Sequence, residues 1–198
     1  MKGLLITLGA VGLLVLIVGG CTLGSYNGLV SADNEVEKSW GNVQSAYQQR
    51  MDTLPKFAKT AKLSAEFQIA LQERYVKARN TVNTAAQSGD PSKLENVANA
   101  QFESMRSFIT IQVEAVPEAK TQQLTELNAQ IESVERVIKH ERDAYNQSVK
   151  NYKDKARKFP GGVVAGMFGF DANKYKIFEA SKDAQTSPEL DLDLNFKR

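Results

Sequence analysis

The sequence predicts an all-α protein, an up-and-down antiparallel four-helix bundle that is preceded by an N-terminal membrane-anchor helix. The first observation is an uninterrupted apolar run at residues 3–20, which contains no charged side chain. The second is that apolar residues then recur three and four positions apart over long stretches, which is the period of an amphipathic helix. The third is that prolines at positions 55, 91 and 117 separate these stretches, as expected of residues that helix interiors exclude. No strand-like alternation accompanies them.

The apolar run is the right length for a bilayer. A helix over residues 3–20, GLLITLGAVGLLVLIVGG, would be about 27 Å long, close to the hydrocarbon thickness of a membrane. Two interpretations remain: a retained transmembrane anchor, or a signal peptide that is cut before Cys21. The run from Leu16 to Cys21 resembles a bacterial lipobox, which makes Cys21 a candidate for lipid attachment. Both interpretations predict tethering to a bacterial inner membrane.

Flanking charges predict the orientation of this segment. Lys2 precedes it, and the first charges after it are those of Asp33, Glu35 and Glu37. The positive-inside rule then places the N-terminus in the cytoplasm and residues 22–198 outside it.

The soluble part is predicted to contain helices near 25–53, 55–87, 91–115 and 118–157. Asp90 and Pro91 are typical of an N-cap followed by the first helical position, and Asp52 and Thr53 offer similar caps before Pro55. Because the connections are short, neighbouring helices should be antiparallel. The predicted organisation is an anchor or signal segment at 1–21, the bundle at 22–158, an apolar closing segment at 159–180 and a mobile tail at 181–198.

Three residues on the apolar stripes have predicted roles in the bundle. Trp40 is expected in the core. Arg50 and Arg79 fall on or beside apolar stripes, which has two explanations. Either they extend their charged groups past the bundle edge into water, or one forms a buried ion pair with Glu141 or Glu132.

Composition excludes several function classes. The 25 Lys and Arg residues nearly balance the 23 Asp and Glu residues, for a net charge of +2, whereas nucleic-acid-binding domains are usually strongly basic. One Cys and one His cannot build a disulfide, a Cys-based zinc site or a multi-His metal centre. His140, alone on a helix, is expected to be solvated. The sequence therefore predicts no enzymatic activity, no cofactor and no metal.

One apolar, glycine-rich stretch, FPGGVVAGMFGF at 159–170, follows the last helix. It either folds back to close one end of the bundle, or forms an exposed patch that contacts a partner or the membrane. The candidate contact residues are Phe159, Pro160, Val163, Val164, Met167, Phe168 and Phe170.

The order and spacing of several motifs resemble the LemA family of bacterial membrane-anchored helical proteins, over essentially the whole chain. These motifs are Tyr26-Asn27-Gly28-Leu29-Val30; Val36, Trp40 and Val43; Arg50, Leu54 and Pro55; Ala78-Arg79; Val116-Pro117; Arg142, Tyr145-Asn146, Val149 and Tyr152; Phe159-Pro160; Phe168-Gly169-Phe170; and Phe178-Glu179-Ala180. The chain departs from the family pattern at Lys56-Phe57-Ala58, at Val116 and at Glu141.

The resemblance implies an anchor plus a helical bundle and no established catalytic activity. Some family topologies place the bundle in the cytoplasm, opposite to the charge argument. The expected function is that of a non-enzymatic, membrane-tethered scaffold or adaptor that contacts envelope proteins or copies of itself. The alternative is a regulatory or ligand-binding module that accepts a peptide or lipid through the bundle or the 159–170 patch.

Overall fold

The computed structural model describes residues 2–60, 64–114 and 120–179, and within these ranges the chain forms five helices and no strand. The helices are α1 (Lys2–Thr60), α2 (Ala65–Gln87), α3 (Pro91–Glu114), α4 (Lys120–Arg157) and α5 (Gly161–Phe168). The all-α prediction is confirmed for these ranges. The predicted mobile tail, 181–198, lies outside the described residues, as do residues 115–119, where the fourth helix was predicted to begin.

The longest packed surface joins α1 and α4, which run antiparallel. The register is marked at one end by Lys155, whose Nζ donates to the carbonyl oxygen of Gly28 at 3.2 Å. At the other end, Arg50 lies 2.8 Å from Glu135. Helices α2 and α3 form a hairpin that packs against α1. A regular up-and-down bundle of four helices stays a prediction.

Three clusters of buried side chains follow one another along α1, and we name them by their distance from its apolar N-terminal part. The proximal core joins Leu29 of α1 to α4 and α5. The middle core joins α1 to α2, α3 and α4. The distal core joins the C-terminal parts of α1 and α3 to the N-terminal parts of α2 and α4. Their members include Leu29 and Val164 (proximal); Val36, Tyr47, Tyr145, Tyr152 and Phe178 (middle); and Met51, Leu54, Phe57, Phe67, Leu71, Phe102, Met105 and Ile109 (distal). Trp40 packs, half-buried, against the middle core.

The predicted helix break at Pro55 is wrong, because α1 continues through Pro55 to Thr60. Proline removes one backbone hydrogen bond from a helix, but the residues around it compensate: Leu54, Phe57 and Ala58 are buried in the distal core. The supposed caps also serve other purposes. Thr53 donates to the carbonyl oxygen of Gln49, within the helix.

Helix α2 instead begins after Ser64, whose side chain accepts the backbone N–H of Phe67 at 3.3 Å. The prediction at the next boundary is confirmed. Asp90 Oδ1 accepts the backbone N–H groups of Ser92 and Lys93 at 3.0 and 3.2 Å, and α3 begins at Pro91.

A Pro55→Ala substitution should therefore stabilise the protein. It restores the backbone N–H inside α1 without emptying a core position, since Pro55 is only half-buried. We expect a gain of about 1–3 kcal/mol in the free energy of unfolding, up to the cost of proline in a helix interior. Chemical denaturation of the full chain in mild detergent, followed by circular dichroism, measures it. A loss of stability would contradict an unbroken α1.

Candidate functional site

The end of the domain nearest the apolar part of α1 is built by the turn that joins α4 to α5. Helix α4 ends at Arg157, and residues 158–160 turn the chain into α5, which packs against both α1 and α4. Glycine is required at the start of α5: a Cβ on Gly161 would lie 2.2 Å from the carbonyl oxygen of Lys155. On Gly162 it would lie 3.0 Å from that of Arg157. This close approach holds α5 against the end of α4.

Helix α5 has a buried face and an exposed apolar face. Val164 and Ala165 are buried in the proximal core beside Leu29 and Ala156. The opposite face and the preceding turn expose Phe159 (87%), Met167 (71%) and Val163 (56%). Phe168, in the last turn of α5, lies on the same side as Val164 and Ala165 and is 54% exposed. The segment thus both closes one end of the domain and presents an apolar surface.

The predicted contact residues therefore divide into two groups. Phe159, Pro160, Val163, Met167 and Phe168 lie on the exposed surface. Val164 was an unsuitable candidate, because its side chain is 2% exposed and belongs to the core. Phe170 is half-buried and packs against the proximal and middle cores.

Aromatic rings connect this apolar surface to α1. The ring of Tyr26, on α1 just beyond the apolar run, meets Phe168 edge-on with centroids 5.0 Å apart, and Phe170 with centroids 5.7 Å apart. Tyrosine is enriched where a helix leaves a bilayer, because its ring is apolar and its hydroxyl is polar.

A groove of about 820 Å³ opens between α1, the end of α4 and the turn. Its α1 wall carries Cys21, Gly24 and Gly28, and its other wall includes Lys158 and Phe159. No heavy atom lies within 4 Å of where a Cβ on Gly24 or Gly28 would stand, so the lack of side chains on that wall keeps the groove open. The thiol of Cys21 is free and exposed at the edge nearest the apolar run.

Beyond α5, the chain returns along α1 as a segment without helix or strand, residues 169–179, which we call the strap. It starts at Gly169, in the left-handed conformation (φ 78°) that glycine favours. The tyrosines of α4 hold its backbone: Tyr152 donates to the carbonyl oxygen of Asp171 at 3.1 Å, and Tyr145 to that of Lys176 at 3.0 Å. Burial raises the pKa of Tyr145 to about 12.

Asn146 on α4 forms hydrogen bonds with both backbone polar groups of one strap residue, Phe178. Its Nδ2 donates to the carbonyl oxygen of Phe178 at 2.9 Å, and its Oδ1 accepts the N–H of Phe178 at 2.8 Å. The ring of Phe178 is buried in the middle core beside Trp40 and under the guanidinium of Arg142. The strap was not predicted; its signals in the sequence are the Tyr145-Asn146 and Phe178-Glu179-Ala180 motifs.

Charged contacts fix the strap to α1. The Nζ of Lys174 lies 3.0 Å from both carboxylate oxygens of Asp33, and the hydroxyl of Tyr175 donates to Asp33 at 2.9 Å. Partial burial lowers the pKa of Lys174, but its bonds to Tyr175 and Asp33 raise it overall.

A further ion pair connects the strap to the α2–α3 turn. Lys176 lies 2.6 Å from Asp90. The hydrogen bond that Lys176 donates to Asp90 is the main cause that lowers the pKa of the Asp90 carboxyl, and the hydrogen bond from the backbone N–H of Lys93 is the second. The positions of these contacts along α1 show that the strap runs away from the apolar run.

Arg50 forms an ion pair in the distal core. Its side chain is 8% exposed; Nε lies 2.8 Å from Oε1 of Glu135, although the N–H is not directed at that oxygen as in a hydrogen bond. One terminal nitrogen donates to Asn99 at 2.7 Å, and the guanidinium lies 4.0 Å from the ring centre of Phe102. Burial lowers the pKa of Arg50, and the Glu135 carboxylate opposes that change.

The predicted partners of this arginine were wrong. The α1–α4 register brings position 135, not 132 or 141, opposite Arg50; Glu132 instead pairs with Arg136 at 2.8 Å. Arg79 is exposed, 3.4 Å from the hydroxyl of Tyr75. Over residues 2–60, 64–114 and 120–179, no group of three or more His, Cys, Asp or Glu side chains could hold a metal ion.

The fold and this end of the domain together define a class of protein. Helix α1 contains one stretch long and apolar enough to cross a membrane, and none of that stretch is buried by the rest of the chain. The protein is thus a helical domain carried on an apolar N-terminal helix. The LemA family model matches residues 39–192, most of the chain, and the chain belongs to the LemA family. Comparison with curated proteins and with solved structures found no similar protein.

The family match and the apolar helix indicate membrane anchoring. LemA is not a known enzyme family, so membership brings no catalytic residues to this chain. The match begins at Ser39, and the resemblance at Tyr26-Asn27 lies before it.

Proposed function

We propose that this protein is a non-enzymatic scaffold or adaptor, tethered to a bacterial inner membrane and acting through contacts with other envelope proteins. The continuity of α1 carries the proposal. The helix runs from the apolar stretch to Thr60 without a break, and its later part supplies one side of all three cores. The domain is therefore a rigid extension of its anchor rather than a body on a flexible linker.

The length of α1 sets how far such a scaffold reaches. From Cys21 to Thr60 a straight helix rises about 60 Å at about 1.5 Å per residue. The distal core would then stand far from the lipid surface, where it can meet partners in the envelope. An extracytoplasmic placement agrees with the positive charge of Lys2 before the span and the acidic Asp33, Glu35 and Glu37 after it.

A candidate surface for a protein partner, away from the α5 end, lies on α2. Ile69 and Val76 are two helical turns apart, on the same side of the helix, and are 63% and 48% exposed. Scattered exposed apolar residues are ordinary, so whether these two belong to an interface is decided by the crosslinking experiment below.

Photocrosslinking in intact cells tests the proposal. A photoreactive residue at Val76 should form adducts that mass spectrometry identifies as envelope proteins, and an Ile69→Asp change should abolish them. His140, exposed on α4, is the matched control position and should give few adducts. Equal yields at both positions would contradict a specific α2 interface.

The orientation is tested with an introduced cysteine. Ser104 is exposed on α3, so Ser104→Cys in a Cys21→Ser background leaves one accessible thiol. We expect a membrane-impermeant maleimide to label it in intact spheroplasts. Labelling only after lysis would place the domain in the cytoplasm.

The groove beside Cys21 favours one second candidate, a module that binds a lipid or peptide. Its volume of about 820 Å³ is within the usual range of ligand sites. Adducts with lipid or peptide instead of protein would favour this function over the scaffold.

A further inference from the structure

We infer that the membrane-proximal end of the domain, residues 155–168, docks onto the same bilayer that holds α1. In this arrangement Phe159, Val163 and Met167 enter the lipid interface, and the lysines at the end of α4 meet anionic headgroups. The inference rests on the anchoring part of the proposed function and not on the scaffold role. It concerns a lipid surface and requires no protein partner.

The position of α5 along α1 carries the first step. Phe159 lines the same groove as Cys21 and Gly24, two α1 residues that come just after the apolar run. The proximal core, which holds α5, surrounds Leu29, about 12 Å along the helix from Cys21. The headgroup layer is several ångströms thick on each side of the hydrocarbon, and interfacial helices bury their apolar faces about 5–10 Å deep. Helix α5 therefore lies within reach of that layer.

The contacts of α5 and the strap with α1 show that α5 lies nearer to the apolar run than the strap does. Phe168 and Phe170 meet Tyr26, Tyr175 meets Asp33, and Phe178 meets Trp40. The chain after α5 thus climbs away from the apolar run. The exposed face of α5 and the turn before it stay beside that run.

The chemistry of this surface is that of an interfacial segment. Its exposed side chains are apolar and include an aromatic ring that is 87% exposed, Phe159. Apolar surface of this kind is removed from water when it enters the headgroup boundary. The buried face of α5, at Val164 and Ala165, already belongs to the protein, so only the exposed face is left for lipid.

Charge favours an anionic bilayer in particular. Residues 153–158 carry Lys153, Lys155, Arg157 and Lys158 against a single carboxylate, Asp154. Lys158 is 72% exposed, although its Nζ lies 2.8 Å from Asp154. A cationic cluster next to an apolar surface is the pattern that binds anionic lipid headgroups. Glu35 also lines this groove, but it lies further along α1 from the apolar run than Cys21 and Gly24 do.

The test places a fluorescent reporter on α5 of the full chain. Met167→Cys in the Cys21→Ser background is labelled with an environment-sensitive dye and reconstituted into phosphatidylcholine vesicles with or without phosphatidylglycerol. Some lipids carry a nitroxide on the headgroup or high on the acyl chain. The matched control is Ile69→Cys, an exposed apolar position of similar accessibility beside the distal core.

We expect blue-shifted emission and loss of most of the intensity to nitroxide lipids at position 167, and neither at position 69. Phe159→Ser should reduce the quenching in both lipids, and Lys158→Gln chiefly in vesicles that contain phosphatidylglycerol. Solvent-like emission without quenching at position 167 would overturn the inference. So would a blue shift without quenching that disappears when the protein is diluted in lipid, because that behaviour indicates contact with a second copy.

Vesicle flotation separates the two proposals. If the protein floats with the vesicles but position 167 is not quenched, docking is wrong and anchoring stands. If the protein does not float, the anchoring itself is wrong.

Discussion

Asn146→Leu is expected to release the strap from the domain, at a cost of about 3 kcal/mol. The substitution removes both hydrogen bonds to the backbone of Phe178, 2.9 and 2.8 Å long, and leaves that N–H and carbonyl without their partner in a largely buried position. A net hydrogen bond contributes about 0.5–1.5 kcal/mol, and an unpaired buried polar group costs about 1–3 kcal/mol. Since only the strap depends on Asn146, the loss is limited to the free energy with which the strap docks.

Hydrogen exchange measures this release directly. Amides in 170–179 should exchange faster in Asn146→Leu, while those in α2 and α3 keep their protection. The fluorescence of Trp40 should also change, because its ring lies 6.1 Å from that of Phe178. Gln147→Leu is the control, since the neighbouring Gln147 is exposed and donates a hydrogen bond within α4, to Asn151. Unchanged protection of the strap in Asn146→Leu would mean that the tyrosines of α4 suffice to hold it.

Helix content and the apolar span could be predicted from the sequence because both arise from local patterns. A 3–4 spacing of apolar residues, and Asp90 followed by Pro91, act over a few residues and are visible in one dimension. The break at Pro55 was mispredicted for the opposite reason. Local chemistry favours a break there, but burial of Leu54 and Phe57 against α2 and α3 is a tertiary effect that overrides it.

The same distinction applies to the candidate site. The apolar composition of residues 159–170 predicted a contact surface there, and five of the seven predicted contact residues lie on the exposed surface. Which of them face inward depends on where Leu29 and Ala156 meet α5, and so Val164 could not be separated from Val163 beforehand. The groove and the strap depend on the α1–α4 register and on contacts far apart in sequence, such as Asp33 with Tyr175.

The turn that places α5 beside the span should tolerate a methyl group at one glycine and not at two others. At Gly161 a Cβ would lie 2.2 Å from a backbone oxygen of α4, so Gly161→Ala must push α5 away from α4. We expect a loss of about 3 kcal/mol, the upper part of the range for overpacking, with faster hydrogen exchange throughout α5. Gly162→Ala, where the distance is 3.0 Å, should cost less.

Gly166→Ala is the matched control within the same helix. No heavy atom lies within 4 Å of its Cβ position, so alanine should be neutral or stabilise α5 by about 0.5–1 kcal/mol through its better helix propensity. Denaturation of the three variants in mild detergent should therefore rank their stability as 166 above 162 above 161. If Gly161→Ala matched Gly166→Ala in stability and exchange, the close packing of α5 against the end of α4 would be refuted. The surface that Phe159 and Met167 present beside the span would then lose part of its rigid support, because this packing and the proximal core together fix α5 relative to α4.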